Sequence, residues 1–110
     1  MATNLPMLSD GEIRGKLVSL RGWQLEGNVI AKEYVFGGFA EAARFINRVA
    51  PIADKMDHHP DLQLYKYKIL KVILTTHSVG GLTQNDFDLA AKIDSLATNR
   101  QGTQNSESFL

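Results

Sequence analysis

The chain has 110 residues, of which 44% are hydrophobic and 22% charged, and this length accommodates one domain with a single core. Twelve basic and twelve acidic side chains give a formal net charge of zero, which disfavours direct nucleic-acid binding and attachment to an anionic membrane surface. Cysteine is absent, so disulfide bonds, thiolate metal ligands and a cysteine nucleophile are excluded. No secretory signal or membrane-spanning run is recognised, and we expect a cytoplasmic protein.

A short helix and a β-hairpin are predicted at the start of the domain. Ser9 and Glu12 have the spacing of a capping box, in which each side chain accepts a hydrogen bond from a free backbone amide of the other residue. Apolar residues then recur at helical spacing up to about Gly22. Residues 23–26 and 29–36 flank a glycine–asparagine turn, and their partial alternation of apolar and polar side chains is typical of two paired strands.

The longest predicted helix carries apolar side chains in one stripe at helical spacing, from Phe39 to Met56. Pro51 lies inside this segment. Because proline removes a backbone donor and crowds the preceding turn, the helix either kinks there or consists of two pieces. We expect the helix to end at His58-His59-Pro60, since the residue before a proline is driven away from helical geometry.

A second pair of strands and a last helix follow. Residues 62–67 and 70–76 read as strands, and alternate apolar side chains of the second strand lie on one face. His77 closes that strand and a glycine-rich loop comes next. Thr83 is a candidate N-cap for the third helix, with Asp86 in its first turn.

The resulting order is α-β-β-α-β-β-α. Helices separated by hairpins, rather than alternating βαβ units, indicate an α+β fold: a four-stranded antiparallel sheet with three helices packed on one face. The domain is assigned to residues 9–97. Residues 1–8 form a leader and residues 98–110 a polar tail, and both are expected to be disordered.

All three histidines lie at the ends of predicted elements, where functional side chains are often found. His58 and His59 follow the long helix, and His77 ends a strand. If the two hairpins share a sheet, His77 can approach the other two, with carboxylates such as Asp54 and Asp86 nearby. Imidazoles exchange protons near neutral pH, so such a group suits acid–base chemistry, for example the elimination of water.

Two other interpretations of the histidines remain open at this point. His58 and His59 could form a polar helix terminus whose positive charge favours the helix dipole. Three histidines and a carboxylate could also bind zinc or iron. Adjacent histidines, however, point about 100° apart on a helix, and no His-x-x-x-His pair is present, so a metal site is disfavoured.

Four motifs of the domain have spacings that are found together in one known family. They are Asp54-x-x-x-His58-His59-Pro60, Tyr67, Thr75-Thr76-His77 and Gly81-Leu82-Thr83-x-x-Asp86. In these motifs the chain resembles the pterin-4a-carbinolamine dehydratases, a family also known as a dimerisation cofactor of a homeodomain transcription factor. The resemblance covers nearly the whole domain.

The resemblance implies an α+β protein that forms homodimers or homotetramers through sheet edges and helices. It implies a dehydratase, a lyase that converts 4a-hydroxytetrahydrobiopterin to quinonoid dihydropterin. That substrate forms when an aromatic amino acid hydroxylase uses tetrahydrobiopterin, so the reaction belongs to tetrahydrobiopterin recycling. The family uses no metal and no other cofactor.

The resemblance also implies roles for individual residues. His58 and His77 would form the acid–base pair, and His59 would hold the pterin and assist proton transfer. Substrate-binding residues would be Asp54, Pro60 and Asp86, and Asp86 would also orient an imidazole. The chain departs from the family pattern in three places: Asp54 stands where glutamate is usual, one extra residue separates Pro60 from Tyr67, and Pro51 lies inside the helix that leads to the site.

A second hypothesis gives the same fold a different task. The chain could be a non-catalytic binding or assembly module that bridges a protein partner through its sheet edge or helices. Neither hypothesis calls for direct contact with nucleic acid or with a membrane.

Overall fold

Four strands and three α-helices make up residues 5–98, the part of the chain that the computed structural model describes. In chain order they are α1 (Asp10–Leu17), β1 (Gln24–Glu26), β2 (Val29–Val35), α2 (Phe39–Met56), β3 (Asp61–Tyr65), β4 (Ile69–Leu74) and α3 (Gln84–Thr98). A 3-10 turn, His77–Val79, lies between β4 and α3. The predicted α+β fold and its order of elements are confirmed.

The strands form a single antiparallel sheet in the order β1-β2-β4-β3. Both hairpins therefore belong to one sheet, with β2 and β4 at its centre. Asp61, the first residue of β3, pairs with Ile73 near the end of β4. The segment that leaves α2 and the segment that leaves β4 consequently meet at the same end of the sheet.

One hydrophobic core joins the helices to one face of the sheet. On β4, Leu70, Val72 and Leu74 share one face, as the sequence predicts, and the structure shows that this face is fully buried. The same cluster contains residues of all three helices, and Phe45 of α2 contacts the ring of Tyr34 on β2. The alternate buried side chains of the strands and the apolar stripe of α2 thus pack together in one apolar layer. Within residues 5–98, no helix is long and apolar enough to cross a membrane.

The first helix is shorter than the sequence predicts. Its capping box is formed: the Ser9 amide donates to the Glu12 carboxylate at 2.9 Å, and the Glu12 amide donates to the Ser9 hydroxyl at 3.2 Å. The helix ends at Leu17, and the amides of Ser19 and Leu20 then bond three residues back. These tighter turns replace the last predicted helical turn and lead the chain to the buried Trp23.

The second helix is unbroken from Phe39 to Met56 and contains Pro51. Val49 and Ala53, on either side of the proline, are both buried, so packing holds the helix across the missing hydrogen bond. The helix ends two residues before His58, because Asp57 adopts a left-handed conformation with φ of 53°. This stop is earlier than the predicted one and does not depend on Pro60.

The strands of the second hairpin are also shorter than predicted. Lys66 and Tyr67 have positive φ angles of 49° and 57°, so β3 ends at Tyr65 and these two residues form the turn. At the other end of β4, Thr76 lies beyond the strand and forms an isolated bridge with Gly81.

The structure describes only part of the predicted leader and tail. Leu8 donates a backbone hydrogen bond to the Leu82 carbonyl at 2.8 Å, and Thr98 is the last residue of α3. The rest of the predicted tail, residues 99–110, and the first four residues of the leader lie outside the described residues.

Candidate active site

His58 is placed by the way in which α2 ends. The left-handed Asp57 reverses the chain, and the His58 amide then donates to the Ala53 carbonyl at 3.1 Å. This bond is typical of a helix C-terminus closed by a left-handed residue. The turn directs the imidazole inward, where its side chain is only 9% exposed.

The buried imidazole of His58 is paired with Asp86. The Nε2 atom of His58 lies 2.6 Å from Oδ1 of Asp86, whose side chain is 0% exposed. Asp86 is in the first turn of α3, where the helix dipole favours negative charge. Its Oδ2 atom accepts from the amide of Thr83, at 2.9 Å, which is the acidic half of a capping interaction.

Thr76 and Thr83 complete this buried group. The Thr76 hydroxyl donates to Oδ2 of Asp86 at 2.7 Å, and the two threonine hydroxyls lie 2.9 Å apart. Both threonines are buried. The sequence predicts only that Thr76 ends a strand and that Thr83 starts a helix. Neither pattern indicates that the two side chains meet, because seven residues and a turn separate them.

His77 follows Thr76 directly and begins the 3-10 turn. Its side chain is exposed, and the imidazole makes no hydrogen bond or ion pair with any residue in the 5–98 region. The turn that carries it is fixed from both sides by Asn28 of the β1–β2 turn. The Asn28 side-chain amide donates through Nδ2 to the Gly80 carbonyl at 3.2 Å, and the Asn28 backbone carbonyl accepts from the Thr75 hydroxyl at 2.9 Å.

His59 points in a different direction from His58. Its Nε2 atom lies 2.9 Å from Oδ1 of Asp54, and the two side chains are 55% and 77% exposed. Pro60, which follows, is half-buried. This pair therefore lies on the surface, one residue along the chain from the buried pair.

The six site residues predicted from the sequence thus form two hydrogen-bonded pairs, with His77 and Pro60 outside both pairs. His58 is joined to Asp86, His59 is joined to Asp54, and His77 is adjacent to the Thr76 that bonds Asp86. Among the described residues, no group of three or more His, Cys, Asp or Glu has an arrangement suited to a metal ion. The chemistry that the arrangement offers is proton transfer by imidazoles, one of them held in a fixed orientation.

Comparison with known proteins assigns the chain to a family. The family model described as Pterin 4 alpha carbinolamine dehydratase matches residues 6–96. A protein of Sulfurisphaera tokodaii, provisionally named pterin-4-alpha-carbinolamine dehydratase, is 52% identical over 91 residues, which is 83% of this chain and 97% of that protein.

Two solved structures share the fold. The crystal structure of a transcriptional coactivator/pterin dehydratase from Brucella melitensis superposes with a TM-score of 0.79 at 34% identity, covering 84% of this chain and 99% of that one. A pterin dehydratase-like RuBisCO assembly factor of the alpha-carboxysome has a TM-score of 0.56 at 20% identity, covering 71% and 89%, and shows likeness of fold alone. Because the family model matches nearly the whole described region, the chain belongs to the pterin-4-alpha-carbinolamine dehydratase family and is a hydro-lyase.

Proposed function

We propose that the chain dehydrates 4a-hydroxytetrahydrobiopterin to quinonoid dihydropterin in tetrahydrobiopterin recycling, by histidine acid–base catalysis. The observation that carries the proposal is the buried pair of His58 and Asp86, 2.6 Å apart, in a chain of the dehydratase family. A carboxylate that holds one nitrogen of an imidazole fixes the ring and stabilises the imidazolium formed when the other nitrogen takes a proton.

The reaction needs one proton removed and one proton supplied. We assign removal to His58: its imidazole takes the proton of the ring nitrogen bonded to carbon 4a. The electron pair of that nitrogen–hydrogen bond forms the carbon–nitrogen double bond as the carbon–oxygen bond breaks. His77 protonates the departing hydroxyl, which leaves as water. An exposed imidazole suits this second task, because water can restore its proton after each cycle.

Substrate binding is assigned to the surface pair and its neighbour. His59 and Asp54 are held to each other at 2.9 Å and remain open to solvent, so they can bind the polar edge of a pterin. Pro60 would form a rigid wall beside them. Asp86 is fully buried, and it would act on the pterin through His58. In this mechanism the protein itself transfers only protons, and no metal or other cofactor is called for.

The decay of freshly generated 4a-hydroxytetrahydrobiopterin, followed by ultraviolet absorbance, tests the proposal. The purified protein should accelerate the decay above the spontaneous rate. A His58→Gln/His77→Gln double variant should be reduced to the spontaneous rate, since proton transfer contributes about 10²- to 10⁴-fold to such reactions. The single variant His59→Gln should raise KM more than it lowers kcat, because the imidazole binds substrate in this assignment. Full activity in a folded double variant would overturn the mechanism.

A second candidate function is a protein-binding or assembly module, with the chain acting as a homodimer or homotetramer. The description of the Brucella melitensis structure as a transcriptional coactivator as well as a dehydratase favours this candidate. It predicts a stoichiometric protein partner that co-purifies with the chain, together with negligible turnover of the pterin. Turnover at catalytic protein concentrations without any partner would reject it in favour of the enzyme.

A further inference from the structure

The hydrogen bonds around Asp86 have directions that can be worked out from the groups involved. A threonine hydroxyl has one hydrogen, and the Thr76 hydroxyl uses it towards Oδ2 of Asp86, at 2.7 Å. The hydrogen between the two threonine hydroxyls, 2.9 Å apart, must then come from Thr83. Thr83 in turn accepts from the amide of Asn85 at 3.3 Å. The donors therefore run in one direction, from the start of α3 towards the carboxylate.

This direction decides which nitrogen of His58 carries hydrogen. Oδ2 of Asp86 receives two hydrogens, from the Thr76 hydroxyl and from the Thr83 amide. Oδ1 faces Nε2 of His58 at 2.6 Å, and the N-terminal end of α3 favours the negative charge of the carboxylate. A carboxylate only accepts, so Nε2 donates, and the neutral imidazole keeps its lone pair on Nδ1.

We propose that Thr76 and Thr83 are positioning residues that hold Asp86 as the acceptor for His58 Nε2 and so present Nδ1 as the nitrogen that takes the substrate proton. The inference rests on the proposed function for the role of that proton, whereas the hydrogen-bond arrangement stands without it. Both threonines are buried, so valine can occupy either position with little change in volume while removing the hydroxyl.

Two readouts separate positioning from a merely structural role. The first is long-range nitrogen–proton NMR on protein labelled in its histidines, which identifies the nitrogen that carries hydrogen. The His58 signals are assigned by their loss in His58→Gln. The wild type should show a single tautomer with hydrogen on Nε2. Thr76→Val should give mixed tautomers, because Asp86 keeps one of its two Oδ2 donors and can rotate.

The second readout is kinetic. Thr76→Val should lower kcat about 10- to 100-fold with a smaller change in KM, since the ring that takes the proton loses its orientation. Thr76→Ser keeps the hydroxyl and should restore both the tautomer and kcat. Thr75→Val is the matched control, because the Thr75 hydroxyl bonds Asn28 and not Asp86, and it should leave the His58 spectrum unchanged.

The outcomes distinguish this inference from the function on which it rests. Hydrogen on Nδ1 of His58 in the wild type would overturn the inference, and so would wild-type spectra in both Thr76→Val and Thr83→Val. The wild-type spectrum decides the tautomer even where a variant fails to fold. The predicted spectra in a protein that does not dehydrate the pterin would reject the proposed function and leave the arrangement of Asp86 and His58 intact.

Discussion

Asp94 of α3 receives hydrogen bonds from three side chains, and replacing it with alanine should lower the free energy of unfolding by about 3 kcal/mol. Its Oδ1 atom accepts from Nζ of Lys32 at 2.8 Å and from the Tyr34 hydroxyl, and its Oδ2 atom accepts from Nε1 of Trp23 at 3.0 Å. Trp23 and Tyr34 are 5% and 4% exposed, so neither donor has easy access to bulk water. The carboxylate therefore ties α3 to the sheet and to the segment before β1.

The magnitude follows from these contacts. A buried donor without an acceptor costs about 1–3 kcal/mol, and we take about 1.5 kcal/mol for each of Trp23 and Tyr34. The lower half of the range applies because Asp94 is itself 23% exposed, so water can enter the gap. Lys32 is 21% exposed, and such an ion pair adds only about 0–1 kcal/mol. The expected loss is large against a total stability of about 5–15 kcal/mol for a domain.

Urea unfolding followed by circular dichroism measures this loss, at one fixed protein concentration so that any self-association contributes equally. Asp88→Ala is the control, since Asp88 is an exposed residue of the same helix. In a Tyr34→Phe background, Asp94→Ala should cost about 1.5 kcal/mol less, because the tyrosine hydroxyl that would lose its acceptor is already absent. A loss within about 0.5 kcal/mol of the control, or no coupling with Tyr34, would refute the reasoning.

Two further predictions concern the surface of the fold. The hydrogen bond from Tyr65 to Glu33 raises the pKa of the tyrosine above its usual 10.0, so the bond stabilises the fold below that pH and is lost as pH rises through the raised value. Glu33→Gln should lower the Tyr65 pKa in an alkaline absorbance titration, and an unchanged curve would contradict the assignment. Gly15 lies inside α1 with no atom within 4 Å of the place that a Cβ would occupy, so Gly15→Ala should stabilise the fold by about 0.5–1 kcal/mol. Gly80, in contrast, has a φ of 72°, which a residue with a Cβ rarely adopts. Gly80→Ala should destabilise by about 1 kcal/mol, and urea midpoints that shift the same way in both variants would be inconsistent with this account.

The sequence predicts which residues belong to the candidate site better than it predicts which of them contact each other. The motif placed His58, His59 and His77 at element ends, and the structure puts the ends of α2 and β4 at the same end of the sheet. The resemblance implies that Asp86 orients an imidazole, but only packing decides that this imidazole is His58. The two residues are 28 positions apart, and no local pattern reports on such a pair.

Helix boundaries show the same division. The capping box predicts the start of α1 because Ser9 and Glu12 interact within one turn, and local spacing carries that information. The ends of α1 and α2 were predicted too late. The chain leaves α1 early to bring Trp23 into the core, and Asp57 closes α2 in a conformation that non-glycine residues seldom adopt.

The sequence by itself determined the order of elements, the alternation of β4 side chains between two faces and the family motifs, because each depends on a period or spacing within a few residues. Only the tertiary structure decided that Thr76 and Thr83 meet on Asp86, that Asp94 collects donors from as far as 71 residues away, and that His59 pairs on the surface while His58 is buried. These are contacts between distant parts of the chain. They exist because the core packs α3 against the sheet in one arrangement, and that packing sets which polar groups must find partners inside it.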